Sequence, residues 1–241
     1  MTWCLIDTSR VLTSWAPLQM EMASSVKPMT RGQVHRRLSL RVAEVSRDIT
    51  LVNRVWMERH YLRRRPVPPR VKVLHIVGDV SGVDPGAAGC SLAVTVALLS
   101  GTASRVHRSL CAALGLHPCN VIELARSWRS DALTPEVAPD LMPFAIRRIV
   151  NGGNGLKPVA EEWNTRRLNA GLSAPARVLL TYADGSVGHD GGLYLGAGAV
   201  AVGRTANGKL AFAWALDGSL VEPLKAWAQA IKETRNEVRN A

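Results

Sequence analysis

Residues 179–196 read Leu-Leu-Thr-Tyr-Ala-Asp-Gly-Ser-Val-Gly-His-Asp-Gly-Gly-Leu-Tyr-Leu-Gly. An apolar, strand-like run ends in Tyr182-Ala183-Asp184. It turns through glycines and passes into a short helix-like segment carrying His189 and Tyr194. A buried strand fixes the backbone, and the loop that follows keeps polar side chains accessible. The stretch therefore gathers a carboxylate, an imidazole and two phenols where a strand delivers the chain to a turn.

The periodicity around it alternates between strand and helix. Leu38 to Val45 alternates as a first strand, and Ser46 caps a helix running to about His60, with Ile49, Val52, Val55 and Trp56 on one face. Arg63 to Arg70 is a basic, proline-rich loop that cannot be helical. Further strands fall at 71–77, 90–99, 121–128 and 178–182, with 90–99 long and apolar enough to be central. A helical piece lies at 110–114, a helix opens at Pro139, and another spans 159–168. A short helix covers 189–196. Strands 199–204 and 210–216 pair about Asn207-Gly208, a type I′ signal, and a basic amphipathic helix closes at 220–238. The order β-α-β-β-(α)-β-α-(α)-β-α-β-β fits one α/β domain, a mixed central sheet with helices on both faces. Residues 1–34 have no clear period and read as a weakly ordered N-terminal extension, leaving 35–241 as the domain.

With 241 residues, 47% hydrophobic and 20% charged, the chain carries enough apolar side chains for a buried core. The net charge is +11, and arginine dominates. A basic globular protein most often meets nucleic acid, less often an anionic membrane, and arginine grips phosphate in a planar, bidentate way. Cys4, Cys90, Cys111 and Cys119 form no Cys-x-x-Cys pair, so neither a zinc site nor a disulfide framework is indicated. No apolar run of about 18 residues and no signal-peptide core is seen, which predicts a cytoplasmic protein with no membrane partner. The motifs of serine hydrolases, zincins and P-loop proteins are absent.

Three constellations remain. His60-Tyr61 sits at a helix end beside the arginine loop; it is either a proton-transfer pair or a helix cap with a packed ring. Arg126 and Trp128 share one face of a strand end, as an anion grip with a stacking platform or as an arginine stem laid on an indole. Asp184, His189 and Tyr194 form either a site with glycines that let a ligand approach or an ordinary turn with a cap.

Four blocks carry a resemblance: Glu58-Arg-His60-Tyr61, Val121-Ile-Glu-Leu-Ala-Arg-Ser-Trp128-Arg-Ser-Asp131, Phe144-Ala-Ile-Arg-Arg-Ile149, and Tyr182-Ala-Asp184 with Gly188-His189-Asp-Gly191-Gly-Leu-Tyr194. Together, from about residue 38 to 205, the chain resembles the Mom proteins of Mu-like phages, DNA modification enzymes on the GNAT acetyltransferase fold. The element order agrees with that fold, whose splayed central strands, here 121–128 and 178–182, hold a cofactor between them. The resemblance implies conversion of adenine N6 in double-stranded DNA to a carbamoylmethyl form that blocks host restriction. It places His60, Tyr61, Asp184 and Tyr194 in the active site, with Arg126 beside cofactor or DNA. It also implies iron, with His60 and Asp184 as ligands. Trp128, Tyr182, His189 and Tyr194 would meet a flipped base, and Arg63, Arg64, Arg65 and Arg70 the DNA backbone, with Arg147, Arg148, Arg166 and Arg167 as a second set. The donor is left open between acetyl-CoA and a related carrier, and the oligomeric state is open, a homodimer included.

Two departures stand against ordinary coenzyme A binding. The place of a glycine-rich pyrophosphate loop is taken by Asp131-Ala-Leu-Thr-Pro-Glu-Val-Ala-Pro139, without glycine and with acidic residues. An Asn-Ser-Glu-Ser-like stretch of the family is replaced by Ala138-Pro-Asp-Leu-Met142. The competing readings are an acyl-CoA-dependent N-acetyltransferase and a non-catalytic DNA-binding protein on the same fold.

Overall fold

The computed structural model describes residues 30–43, 48–60, 62, 73–81, 92–100, 104–130, 133, 140–151 and 175–240. Seven strands form one sheet: β1 (Leu38–Val42), β2 (Val73–Val80), β3 (Val94–Ser100), β4 (Val121–Arg129), β5 (Val178–Ala183), β6 (Val200–Arg204) and β7 (Leu210–Ala215). Their order is β1-β2-β3-β4-β5-β7-β6. Every neighbour is antiparallel except β4 and β5, which run parallel. This is the mixed α/β architecture expected from the sequence.

Both faces of the sheet are covered because its central strands are apolar on both sides. Helices α1 (Arg31–Arg37) and α4 (Leu141–Val150) cover one face, where Val34, Leu141, Ala145 and Ile146 pack with Leu74, Ile76, Leu124 and Leu179. Helix α3 (Arg105–Leu114) and the C-terminal helix Val221–Asn240 cover the other, through Val106, Leu110 and Leu224 against Val178 and Leu180. Helix α2 (Ile49–Arg54) packs on that second face too, burying Val52 and, beyond its end, Val55 and Trp56 against Val77 and Ala97. α1 begins at Arg31 behind a Thr30–Gln33 capping box, and its Val34 is fully buried. The fold thus starts before residue 35, inside the expected extension.

Other boundaries moved for local reasons. Among its described residues, the expected helix from Ser46 to His60 is α-helical over Ile49–Arg54 and widens to a π-helical turn over Val55–Arg59; Ser46 lies outside the described residues. Such a turn admits one extra residue and shifts the phase of the side chains. The 206–208 loop is closed by Thr205 and Lys209, with Gly208 at φ +83°, rather than by a two-residue turn. That is a three-residue hairpin with its left-handed position on glycine, not type I′. The helix expected at 159–168 lies outside the described residues.

Two irregularities shape the centre of the sheet. β4 pairs with β5 only from Val121 to Leu124, opposite Val178 to Thr181. From Ala125 to Arg129, β4 continues without β5, which stays with β7. At the fork the Thr181 hydroxyl donates to the Leu124 carbonyl at 2.8 Å, taking over where the ladder stops. On its other side β4 pairs Leu124 with Leu98 and Arg126 with Ala97, so Ala125 is an extra residue in a β-bulge. Without it Arg126 would lie opposite Val96, on the face of α1 and α4. The bulge turns Arg126 and Trp128 over to the face of Ala97, where α2 packs.

Candidate active site

The fork opens into a cleft of about 750 Å³ at the C-terminal ends of β4 and β5. The end of α2 supplies Arg59 and His60, and β4 supplies Ser127, Trp128 and Arg129. Met142 and Pro143 come from the start of α4, and Gly188 to Tyr194 from the turn after β5. Parallel strands that part at their C-terminal ends leave a crevice that no side chain of the sheet fills, which is where ligands of α/β proteins sit.

His60 is buried, 5% exposed, at the point where the π-helical turn releases the chain into extended backbone. Its Nδ1 accepts from Arg126 Nη1 at 3.3 Å and from the Leu62 amide at 3.2 Å. The Trp56 ring meets it edge-on, centroids 5.4 Å apart. Burial first, then the Arg126 and His189 charges, push the imidazole down to about 4, so it is neutral at pH 7. Arg126 is itself buried, 8% exposed, which makes the pair an internal feature of the cleft wall rather than a surface contact.

The turn after β5 builds the opposite wall. Gly191 has φ +86°, and a Cβ there would lie 2.0 Å from Phe212 Cζ, so only glycine lets the turn rest on that ring. Asp190 Oδ1 accepts from the Gly192 amide at 2.8 Å and holds the start of the short helix Gly192–Gly196. Tyr194 leans on Phe212 and Trp214, centroids 5.6 and 6.0 Å away.

Of the residues singled out from sequence, the structure brings His60, Trp128, His189 and Tyr194 to the cleft, with Arg126 behind His60. It does not bring Asp184 or Tyr182 there. Asp184 caps the turn Gly185–Val187 through the Ser186 amide and pairs with Lys209 Nζ at 2.8 Å. Lys209, then Ser186, holds its carboxyl down at about 2. Tyr182 points to the opposite face of the sheet with Val178 and Leu180, and its hydroxyl lies 2.6 Å from Ser104 Oγ at the start of α3. Arg147 and Arg148, expected at a DNA backbone, bond to the carbonyls of Gly196 and Leu38 and tie α4 to its neighbours. Tyr61, Arg63, Arg64, Arg65, Arg70, Arg166 and Arg167 lie outside the described residues.

An iron site on His60 and Asp184 does not fit. Asp184 is committed to Lys209 and Ser186 away from the cleft, and His60 Nδ1 faces two N–H donors. Among the described residues no group of three histidine, cysteine, aspartate or glutamate side chains could hold a metal ion.

Sequence reading passed over Asp190, the carboxylate that does line the cleft, and Arg59 and Arg129 on its rim. Asp190-Gly-Gly before an apolar run is a helix-start signal that would have found it. The sequence also understated Asp140 before α4. Its carboxylate is held by Arg31, by His35 Nε2 at 3.0 Å and more distantly by Arg147, and the His35 ring stacks on Phe144 at 3.9 Å. These partners keep Asp140 ionised, its carboxyl below the usual range although burial opposes this. Arg31 and Arg147 balance that charge, so the start of α4 carries an ion-pair cluster in which these cations are already committed to a carboxylate.

No family model and no curated protein matches the chain. It is similar to acetyltransferases of known structure. One is aminoglycoside acetyltransferase AAC(6')-Ib in complex with coenzyme A and kanamycin, at 12% identity and TM-score 0.41, covering 74% of this chain and 94% of that one. The same enzyme with paromomycin and acetyl-CoA gives 12% and 0.41, over 74% and 93%. Spermidine/spermine N-acetyltransferase SpeG from Vibrio cholerae, with manganese ions, gives 11% and 0.37, over 78% and 97%. Among the described residues no helix is long and apolar enough to cross a membrane.

Proposed function

We propose that the protein transfers an acyl-type group from a thioester donor, acetyl-CoA in the simplest case, to an amino nitrogen held in the cleft between β4 and β5. The observation that carries this is the fork. A bulged β4 parts from its parallel neighbour over Ala125–Arg129, and the space between them is walled by proton-carrying side chains. A thioester laid between the strands would present its carbonyl to the amine entering from the Trp128 and His189 side. Attack by the amine forms the carbon–nitrogen bond, and collapse of the tetrahedral intermediate breaks the carbon–sulfur bond. Asp190 is the carboxylate at hand to take the ammonium proton, and the Tyr194 phenol can give one to the departing thiolate.

One observation favours a second acceptor and donor. Asp140 holds Arg31, His35 and Arg147 at the start of α4, so these groups are committed to it rather than offered to a pyrophosphate, while the chain as a whole carries +11. This supports modification of an adenine amino group in double-stranded DNA, as the Mom resemblance implies, with a donor lacking the usual phosphates. The base would have to leave the stack to enter the cleft, where Trp128 offers a stacking surface.

Both readings are tested on the purified full-length chain. Acetyl-CoA is supplied with a panel of polyamines and aminoglycosides, and free thiol is measured as it is released. In parallel, the protein is co-expressed with a plasmid whose nucleosides are analysed by mass spectrometry. Thiol release dependent on an amine supports the first reading; a new adenine species supports the second. Folded protein that gives neither thiol release nor a new adenine species refutes both readings.

A further inference from the structure

We infer that the groove between α3, β6 and the C-terminal helix binds the sugar-phosphate backbone of DNA, laid so that the same strand reaches the cleft. The inference deepens the DNA reading above by naming where the polyanion is held. Binding in the groove is measurable whether or not a group is transferred.

Two cavities make up the groove. One, of about 990 Å³, lies between β6 and the C-terminal helix; the other, of about 370 Å³, lies between β6, that helix and the start of α3. They share Gly203, Arg204 and Ile231, so one runs into the other across the end of β6. Arg105 and Arg204 line the smaller cavity, Arg204, Lys225 and Lys232 the larger, and no carboxylate among the described residues lines either. Elsewhere the arginines are spent on carboxylates: Arg31 and Arg147 on Asp140, Arg41 on Asp48, Arg177 on Asp217. In the groove Lys225 pairs with Glu222, and Arg204 donates to the Gly208 carbonyl at 3.2 Å. Arg105, Arg204 and Lys232 are exposed and have no acidic partner among the described residues. The floor beneath them is apolar, from Val202, Trp227 and Ile231. A concave surface lined by one sign of charge over a low-dielectric floor focuses its field outward, towards an anion. Cations strung along linked cavities, rather than converging on one point, call for a row of anions, and a guanidinium grips phosphate oxygens two at a time.

The position of the groove ties it to the cleft. β6 is antiparallel to β7, and β7 to β5, so β6 runs with β5 and Arg204 lies at the end of the sheet where the fork opens. Two strand spacings separate β6 from β5, about 10 Å, or roughly three base-pair rises of DNA. The short helix Gly192–Gly196 stands between the two sites: Tyr194 lines the cleft, and Leu195, 53% exposed, lines the groove. A strand seated on Arg105, Arg204 and Lys232 passes the mouth of the cleft within a few nucleotides.

The test is binding of a fluorescently labelled DNA duplex of about 20 base pairs to the full-length chain, followed by anisotropy from about 50 to 200 mM salt. Each phosphate contact contributes close to one unit to the slope of log affinity against log salt. Arg105→Gln, Arg204→Gln and Lys232→Gln should each reduce that slope by about one, and the triple variant by about three. Arg36→Gln makes the same charge change at an exposed position of α1, which leads into β1 at the opposite edge of the sheet, and should leave the slope as it is. Thermal unfolding checks that each variant is folded. An equal loss in Arg36→Gln would mean net charge alone, and an unchanged slope in the triple variant would mean that DNA lies elsewhere; either overturns the inference, as does wild-type protein that binds no DNA. Polyglutamate of equal charge binding as tightly, with the same loss in the triple variant, also overturns it and marks an acidic protein as the partner. Slopes that fall as expected beside an unmodified plasmid sink the modification reading and leave the groove standing. An adenine product formed equally by the triple variant does the reverse.

Discussion

Lowering the pH from 7 to 5 should weaken this fold through two buried histidines that share one tryptophan. His75 on β2 is 8% exposed, and its Nδ1 accepts from Trp56 Nε1 at 3.4 Å. Burial pushes His75 down to about 4, and His60, edge-on to the same Trp56, is likewise near 4. Both folded values lie below the unfolded value of about 6.5, so the unfolded chain binds more protons in this window. Stability is therefore fully present above the unfolded value and is lost as pH falls towards the folded one. Between pH 7 and 5 one such group loses about 2 kcal/mol by proton linkage. Counting His60 at half, because it borders a cleft open to water, the two together cost about 3 kcal/mol. His107, lowered chiefly by burial, acts in the same direction. The carboxylates held low, Asp140, Asp184 and Asp217, titrate below this range and leave the window to the histidines. Urea unfolding of the full chain at the two pH values measures the loss. His75→Asn removes one titrating group and keeps an oxygen for the Trp56 N–H, so it should remove more than half of the pH dependence whatever its effect at pH 7. A wild-type stability that is flat between pH 7 and 5, or a slope unchanged in His75→Asn, would refute the reasoning.

Three other outcomes follow from the geometry. Gly191→Ala should lower stability by about 3 kcal/mol or more, since it combines a left-handed backbone with overlap on the Phe212 ring. Gly188→Ala, also left-handed at φ +79° but open, should cost only about 1 kcal/mol, and thermal unfolding of the pair separates overlap from strain. Tyr194→Phe should reduce transfer by about 10²-fold, whereas Tyr182→Phe and Asp184→Ala should leave the turnover number nearly intact, because their side chains serve α3 and Lys209. Asp140→Asn should tighten acetyl-CoA binding several-fold by calorimetry, since it releases Arg31 and Arg147 from their carboxylate at the start of α4; unchanged affinity would mean that the phosphates pass elsewhere.

The fold was more legible in this sequence than the site. Strand and helix periods located β1 to β7 within a few residues, because the central strands are apolar on both faces and β1 alternates buried with exposed residues. What could not be read was phase. Tyr182 and Asp184 sit beside Ala183, and proximity to a strand end made both look catalytic. Yet strict alternation along β5 sends Tyr182 with Leu180 to the α3 face, and Asp184 is spent on closing its own turn. Alternation also put Arg126 and Trp128 on one face correctly, but which face depended on the single extra residue at Ala125. A bulge leaves no mark in composition, since it is a pairing mismatch between β3 and β4 rather than a property of either strand. The π-helical turn before His60 is the same kind of event in a helix: one inserted residue re-aims everything after it. The two insertions converge, one from a strand and one from a helix, on the contact between Arg126 and His60. Restoring a regular strand at Ala125 would return Arg126 to the face of Val96 and leave His60 without the guanidinium that bonds its Nδ1.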